Sequence, residues 1–317
     1  MSINGRTPLS TPTSTQWSVP VLFLIPTLIW GSTWLGITFQ LGTVAPEVSV
    51  CYRFALASTL LAVWCRMTGR SLRFSLRNHA FLAGLGALMM GFNYIWIYRA
   101  EQILTSGLVA VLFATLVFMS PVAMRVAYGT PLRARTFVAA TFGVTGVALL
   151  FLPELQQARK GGAVAWGIML TLAATASCAL GNLIAIRNHR AGFSTLPATA
   201  WGLAYGALLA AIVAVVQGEP WTFDASLPYV LSLLYLAVFG SVIAFGVYFT
   251  LLNRVGAGPA SYTTVSTPII AMAMSTLFEG YRWSWVAVLG VLLTAFGNWL
   301  ALRQPRGKSG RESVTRA

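Results

Sequence analysis

Ten long apolar stretches dominate this sequence, and they constrain its fold more than any other feature. Each is close to the roughly 20 residues that a helix needs to cross a lipid bilayer. They run over residues 20–40, 46–65, 80–98, 103–124, 136–152, 163–186, 196–217, 228–252, 258–278 and 283–302. Charged residues make up only 9% of the chain, against roughly 25% in a soluble domain. The sequence therefore predicts an all-α integral membrane protein with ten transmembrane helices.

The second half of the chain repeats features of the first half at an offset of 151 residues. The matched glycines are Gly107 with Gly258, Gly129 with Gly280 and Gly146 with Gly297. The apolar stretches around these glycines coincide as well. We therefore predict a first repeat at 18–153 and a second at 163–303. Because each repeat has an odd number of helices, the two five-helix repeats are inverted, as in many secondary transporters that bind cargo between their repeats.

Positive charge is distributed unevenly between the two ends of the predicted helices. With the N-terminus inside, 16 of the 21 Lys and Arg residues fall in cytoplasmic segments, four fall outside, and Arg53 lies within a span. Lys and Arg are enriched on the cytoplasmic side of membrane proteins. We therefore expect a multi-pass inner (plasma) membrane protein with both termini cytoplasmic, a disordered tail at 1–17 and a basic tail at 304–317. The net charge of +14 then reflects topology and anionic lipid, not nucleic acid.

The sequence lacks the signals of metal, cofactor or enzymatic chemistry. Cys51, Cys65 and Cys178 all lie in apolar spans without metal-ligand spacing, so we interpret them as packing residues. A phosphate-binding loop, a dinucleotide-binding glycine fingerprint and a zinc motif are all missing from the sequence. We expect no enzyme activity, no cofactor and no metal, and a monomer whose partners are a small-molecule substrate and membrane lipids.

Four short motifs occur in order along the spans. They are Trp30-Gly31-Ser32-Thr33-Trp34, Arg53-Phe54, Thr267-Pro268 followed by the turn Phe278-Glu279-Gly280, and Gly290 with Gly297. In these motifs the chain resembles the EamA family of ten-helix transporters in the drug/metabolite transporter (DMT) superfamily, over residues 20–302. The resemblance implies a central cavity surrounded by the first, third, fourth, sixth, eighth and ninth helices. The first half departs from the pattern, with Val117 and Tyr128 at the positions equivalent to Pro268 and Glu279.

Arg53 is the only cation deep within a predicted span. A charge at that depth is costly and marks a functional site by default. We interpret Arg53 as a gating or substrate-contacting residue, or as a structural residue that reaches Glu47, extends to the membrane surface or holds helix carbonyls. The interior prolines Pro26, Pro121 and Pro268 are candidate hinges about which helix pairs rock.

Polar side chains within the spans are candidates for cargo binding. Lipid offers no hydrogen-bond partner, so Asn93, Asn182 and Asn298 each need one from the protein or from a cargo. With the helix arrangement that the resemblance implies, Asn93 and Asn182 are expected at the cavity, together with Tyr94 beside Asn93. An interhelical hydrogen bond is the alternative for each asparagine, and packing is the interpretation for Asn298 on the tenth span.

Aromatic and hydroxyl side chains supply the other candidates. Trp30, Trp34 and Tyr248 are interpreted as flat apolar walls for a ligand, with core packing as the alternative. A run of hydroxyl residues leads up to Pro268, which prevents one backbone hydrogen bond and predicts a kink or break. These hydroxyls either satisfy the freed carbonyls or line a path for polar cargo. On the second reading, Tyr262 and Ser266 are binding residues.

These features together predict an inner-membrane transporter that exports small metabolites by alternating access. The resemblance suggests amino acids or related compounds, and the aromatic walls favour a neutral or aromatic amino acid, with purine-like compounds or drugs as alternatives. A membrane-embedded lipid-handling enzyme and a non-transporting structural subunit are the alternatives from other classes. The sequence places no carboxylate in the middle of a span, and leaves facilitated diffusion and proton antiport open. Glu47, Glu101 and Glu279 lie at the interfaces as candidate outer gates.

Overall fold

The computed structural model describes residues 17–104, 106–132, 134–150, 152, 162–278 and 284–302. Within these ranges every regular element is a helix, which confirms the all-α prediction for this part of the chain. The predictions for the tail at 304–317, for nearly all of the tail at 1–17 and for the turn at Glu279 fall outside the described residues.

We number the helices of the described residues in chain order. They are α1 Val19–Thr38, α2 Pro46–Met67, α3 Leu76–Glu101, α4 Ser106–Phe113, α5 Leu116–Tyr128, α6 Ala134–Leu150, α7 Gly162–Arg190, α8 Thr195–Gln217, α9 Leu227–Val255, α10 Ala257–Ala260, α11 Tyr262–Phe278 and α12 Trp285–Leu302. By length and composition, α1, α2, α3, α7, α8 and α9 can each cross a membrane. Helices α5, α6 and α12 are shorter but also apolar.

Local sequence explains several of the helix ends. Pro46 occupies the start of α2, where its fixed φ suits the helix and its missing N–H removes no bond. Helices α5 and α8 end at Gly129 and Gly218, whose φ angles are 66° and 70°. Glycine enters this left-handed region without the strain that a Cβ atom would cause, so both helices stop there.

The structure divides two of the predicted spans. The span 103–124 becomes α4 and α5, separated at Ala114 and Thr115, where the Val117 N–H donates to the Ala114 carbonyl three residues back. Pro121 follows and cannot donate to the carbonyl of Val117. The span 258–278 is divided at Ser261, between α10 and α11. Each break gives a position at which the chain can bend without disturbing a regular helix.

Helices α3 and α9 each contain a π-helical turn at a matching position. The turns are Gly86–Phe92 and Val238–Ile243, so their last residues lie 151 positions apart. A π-turn shifts the hydrogen bonds by one residue and is frequent at functional sites. Both turns lie next to the cavity described below.

Helices α6 and α12 pack through small residues that match across the same offset. A Cβ atom on Gly146 would lie 2.5 Å from the Gly290 oxygen, and one on Gly297 would lie 2.6 Å from the Ala139 oxygen. As the position on α6 advances from 139 to 146, its contact on α12 moves back from 297 to 290, so the helices run antiparallel. Adding 151 to Gly146 gives Gly297, and subtracting 151 from Gly290 gives Ala139. The 151-residue offset between the repeats therefore relates the first contact to the second.

We expect Gly297→Ala to destabilise the protein by about 1–3 kcal/mol, as overpacking does elsewhere. Its new methyl group would meet the backbone of α6, which cannot rotate away as a side chain does. Thermal unfolding in detergent measures the effect. Gly258→Ala is the control, since its Cβ would meet only Pro121 Cγ at 3.6 Å. Equal melting temperatures for the two variants would contradict the close contact.

Candidate functional site

A cavity lies among α1, α3, α4, α5, α7, α9 and α11. The lining residues are Trp30, Thr33, Trp34, Ile37, Met89, Asn93, Tyr94, Ile97, Phe113, Leu116, Cys178, Phe245, Tyr248, Thr264 and Thr267. None of them is charged. The helices that contribute belong to the first, third, fourth, sixth, eighth and ninth predicted spans.

Aromatic rings from four helices form the walls. The Trp30 ring lies 5.5 Å from that of Phe245 and 5.0 Å from that of Tyr248, measured between centroids. Trp34 faces Phe113 edge to face at 6.4 Å. These separations suit aromatic pairing. The rings therefore stabilise one another's positions and present flat apolar surfaces to the cavity. The structure thus brings the predicted residues Trp30, Trp34 and Tyr248 together at one site.

Two polar atoms of the lining have no partner within the described part of the chain. Trp34 Nε1 is buried without an acceptor, and Asn93 Oδ1 is buried without a donor. Asn93 Nδ2 donates to the Met89 carbonyl at 3.1 Å, which fixes the amide. A buried polar group without a partner costs about 1–3 kcal/mol. Each of these two lining residues therefore carries one buried polar atom that the described part of the chain leaves without a partner.

Asn182 lies behind the wall, and not among the lining residues. It is fully buried, and its Oδ1 accepts a hydrogen bond from the Tyr248 hydroxyl at 3.1 Å. The bond joins α7 to α9, as the interhelical alternative predicted, and holds the Tyr248 ring at the cavity. The binding role predicted for Asn182 stays a prediction, and the side chain of Asn298 lies outside the described residues.

The hydroxyl run of α11 bonds chiefly to its own backbone. Thr267 Oγ1 donates to the Thr264 carbonyl at 2.9 Å, the carbonyl that Pro268 leaves without a partner. Helix α11 therefore continues through Pro268, and the break that we expected there lies at Ser261. Thr264 and Thr267 also line the cavity. For these two residues, bonding to helix carbonyls and lining a path for cargo are therefore compatible.

Tyr262 and Ser266 lie elsewhere. The Tyr262 hydroxyl donates to the Thr136 carbonyl of α6 at 2.9 Å, and its ring packs among Ala139 and Ala140. Ser266 Oγ donates to the Tyr262 carbonyl at 3.2 Å. The structure does not bring these two residues to the cavity lining, and their predicted binding role stays a prediction.

Arg53 is fully buried at the second π-turn. Its Nε donates to Ser241 Oγ at 3.0 Å, its Nη1 to the Tyr98 hydroxyl at 3.3 Å, and its Nη2 to the Gly240 carbonyl at 3.4 Å. The guanidinium also lies 4.6 Å from the centroid of the Tyr94 ring. Arg53 therefore ties α2 to α3 and α9.

One backbone atom connects Arg53 to the cavity. The Gly240 carbonyl that Arg53 contacts also accepts a hydrogen bond from Trp30 Nε1 at 3.1 Å. Tyr94 provides a second connection, because its ring stacks on the guanidinium and lines the cavity. A movement of the Arg53 guanidinium would therefore disturb two lining residues of the cavity, Trp30 through the Gly240 carbonyl and Tyr94 directly.

Glu47 does not pair with Arg53. Its carboxylate, which is fully buried, accepts a hydrogen bond from Arg99 Nε. Arg99 also binds the amide oxygen of Gln217, and lies 3.6 Å from Glu219. This cluster joins α2, α3 and the end of α8. Of the structural alternatives for Arg53, the structure therefore supports the one in which it holds hydroxyls and a carbonyl.

Sequence reasoning missed several lining residues. Thr33, Phe113 and Phe245 line the cavity, yet the sequence analysis did not select them as binding residues. The periodicity did contain a signal for Phe245, which lies three residues before Tyr248 and therefore on the same helix face. Thr33 carries the same signal, since it lies three residues after Trp30, whereas Phe113 has none.

Comparisons with known proteins find a matching family, related sequences and a related fold. Residues 17–152 and 165–303 match the model of the EamA-like transporter family. The chain is 28% identical over 294 residues to the uncharacterized inner membrane transporter YedA of Escherichia coli strain K12, covering 88% of this chain and 90% of that protein. It is 23% identical over 290 residues to the probable amino-acid metabolite efflux pump of the same strain, covering 87% and 92%. A crystal structure at 16% identity covers 89% of this chain and 96% of its own with a TM-score of 0.73, which shows the same fold.

Proposed function

Because the chain belongs to the EamA-like transporter family, we propose that it exports neutral or aromatic amino acids, or related small metabolites, across the inner membrane by alternating access. The observation that carries this proposal is the uncharged, aromatic-walled cavity, whose lining residues Trp34 and Asn93 each have a buried polar atom, Nε1 and Oδ1, without a partner in the described residues. Two relatives, an uncharacterized inner membrane transporter and a probable amino-acid metabolite efflux pump, support the location and the class of cargo.

A free amino acid fits the chemistry of this cavity. Its carboxylate accepts hydrogen bonds, as the open Trp34 N–H requires, and its ammonium group donates them, as the open Asn93 oxygen requires. A neutral or aromatic side chain then packs between Trp30, Phe245 and Tyr248. A cargo with net charge would enter a lining that has no countercharge, at a high desolvation cost.

The proposed architecture is ten spanning helices in two inverted repeats, at 18–153 and 163–303, with both termini cytoplasmic. The contacts between α6 and α12 that exchange under a shift of 151 residues support it. A two-fold axis that exchanges two antiparallel helices is perpendicular to both of them. Because the helices are proposed to span the membrane, this axis lies in the membrane plane. We propose that the breaks at Ala114 and Ser261 act with Pro26, Pro121 and Pro268 as hinges.

We further propose that the protein works as a monomer surrounded by lipid. Large apolar side chains are exposed on the outer faces of the long helices, among them Trp64, Leu208 and Val216. Lipid chains solvate such faces, whereas in water they would favour aggregation.

Exchange of labelled amino acids by purified protein in proteoliposomes tests the function. The panel contains phenylalanine, tryptophan, leucine and threonine, each loaded on one side and supplied as label on the other. We expect exchange of at least one of them above protein-free vesicles. A folded protein that exchanges no member of the panel would contradict amino acid transport and favour a non-transporting subunit.

We expect Asn93→Ala to reduce this exchange at least tenfold, since a hydrogen bond to a charged group contributes about 1.5–3 kcal/mol. Trp34→Phe keeps an aromatic ring and removes the N–H, so a smaller loss is expected. Asn78→Ala, on the same helix but away from the cavity, is the matched control. Melting temperatures should stay near that of the parent protein. Unchanged exchange in Asn93→Ala would remove Asn93 from the binding site.

A further inference from the structure

Glu101 is buried although it is the last residue of α3. It is 9% exposed, and neither carboxylate oxygen has a hydrogen-bond partner in the described ranges. Its acidic neighbours at this end differ: Glu47 binds Arg99, and Glu219 is about one-third exposed. Burying a carboxylate without partners is costly. Glu101 is therefore a buried acid. Within the described residues no hydrogen bond or ion pair holds its carboxylate in the charged form.

Arg53 is held by side chains on the face of α3 that also carries Glu101. Tyr94, Tyr98 and Glu101 lie at positions i, i+4 and i+7 of α3, so they share one helix face. Arg53 stacks on Tyr94 and donates to the Tyr98 hydroxyl. Glu101 thus extends, by one helical turn, the row of side chains that holds the guanidinium.

The other helices around this end of α3 bring little further charge. Helix α7 packs against it, and its basic residues lie in its last turn, beginning at Arg187. The buried Thr171 and Thr175 of α7 donate within their own helix. Helix α4 has no charged residue. On α2 the charged groups are Glu47, which Arg99 binds, Arg53, and Arg66 in the last turn.

We propose that Glu101 is the proton-binding site that couples cargo export to a proton gradient, which rests on the proposed transport function. A proton from the outer side adds to the carboxylate and forms a neutral acid. The negative charge that acts on Arg53 is then lost, and the contacts of the guanidinium with Tyr94 and Gly240 change. Through Tyr94 and the Gly240–Trp30 bond, this change reaches the cavity.

The transport cycle balances one proton against one cargo molecule. The protonated state releases cargo to the outside and then turns inward. There the proton leaves Glu101 for the cytoplasm, the carboxylate forms again beside Arg53, and new cargo binds. Each cycle moves one proton in and one cargo molecule out.

Two assays on the same proteoliposomes separate coupling from transport. The first is exchange of labelled amino acid, from the four-member panel above, at equal pH on both sides. The second is accumulation of that amino acid in vesicles with an acidic interior, with the membrane potential clamped. For one-to-one antiport, a difference of one pH unit supports about tenfold accumulation, because one unit is 1.36 kcal/mol.

We expect Glu101→Gln to lose accumulation and also to weaken exchange, because the neutral amide stands in for the protonated acid, the state that releases cargo. Glu101→Asp keeps a titratable carboxyl group and should retain part of the accumulation, which also guards against a folding defect in the Gln variant. Glu219→Gln, the matched control at the same end, should behave as the parent protein.

The outcomes are distinct. Accumulation by Glu101→Gln equal to that of the parent protein overturns the assignment of Glu101. Exchange by the parent protein without any response to the pH difference overturns proton coupling but leaves the transport function standing. A parent protein that exchanges none of the four amino acids overturns the transport function, and the coupling with it.

Discussion

Arg53→Met lowers amino acid exchange at least tenfold, we expect, while the melting temperature stays close to that of the parent protein. The substitution removes the bonds to Ser241, Tyr98 and Gly240 and the stacking on Tyr94. It also removes the cost of burying a cation, and these contributions to stability offset each other. Exchange has no such compensation, because the cavity wall at Trp30 and Tyr94 loses its support.

Two further variants define what Arg53 supplies. Arg53→Lys keeps the charge but cannot make three directed bonds and a planar stack at once, so we expect partial activity. Arg254→Met removes an exposed arginine that donates to the Trp17 carbonyl, and should leave exchange unchanged. Normal exchange with a greatly lowered melting temperature in Arg53→Met would assign Arg53 a purely structural role.

Arg99→Met is expected to lower the free energy of unfolding by about 3 kcal/mol, the low end for a broken buried ion pair, because Arg99 itself is about one-third exposed. The substitution leaves the fully buried Glu47 without its cation and also removes the bond to Gln217. The contacts that are lost are those by which Arg99 joins α2, α3 and the end of α8. Chemical or thermal unfolding in detergent measures the loss.

A double variant shows whether the unpaired charge is the cause. Glu47→Gln combined with Arg99→Met removes both charges, and replacing a whole buried pair is often close to neutral. We therefore expect the double variant to recover most of the stability that Arg99→Met loses. If the double variant is as unstable as the single one, packing of the arginine stem, and not the charge on Glu47, holds the joint.

The helices were predictable because their apolar spans are long and uninterrupted. Their details were not. Helix α3 begins at Leu76, before the predicted start at 80, because Ser75 caps the helix and accepts a hydrogen bond from the Asn78 N–H. The breaks at Ala114 and Ser261 and the two π-turns left no mark in the apolar pattern. Hydrophobicity reports which residues avoid water, whereas these features depend on a shift of one backbone hydrogen bond.

The candidate site was predictable where a polar or large aromatic side chain stood out within an apolar span. Trp30, Trp34, Asn93, Tyr94 and Tyr248 meet at the cavity for that reason. The same criterion selected Tyr262 and Ser266, which the structure places away from the lining. A side chain's type shows that it needs a partner, but its helix rotation and its neighbours decide which partner it meets.

The sequence by itself determined that this chain is helical, apolar enough to span a membrane, and a member of its transporter family, because these properties depend on composition, span length and ordered motifs. Tertiary structure alone decided that Glu47 pairs with Arg99 and not with Arg53, and that Glu101 is buried at the end of a helix. Those outcomes depend on which helices pack together, and charges far apart in sequence acquire their partners only through that packing.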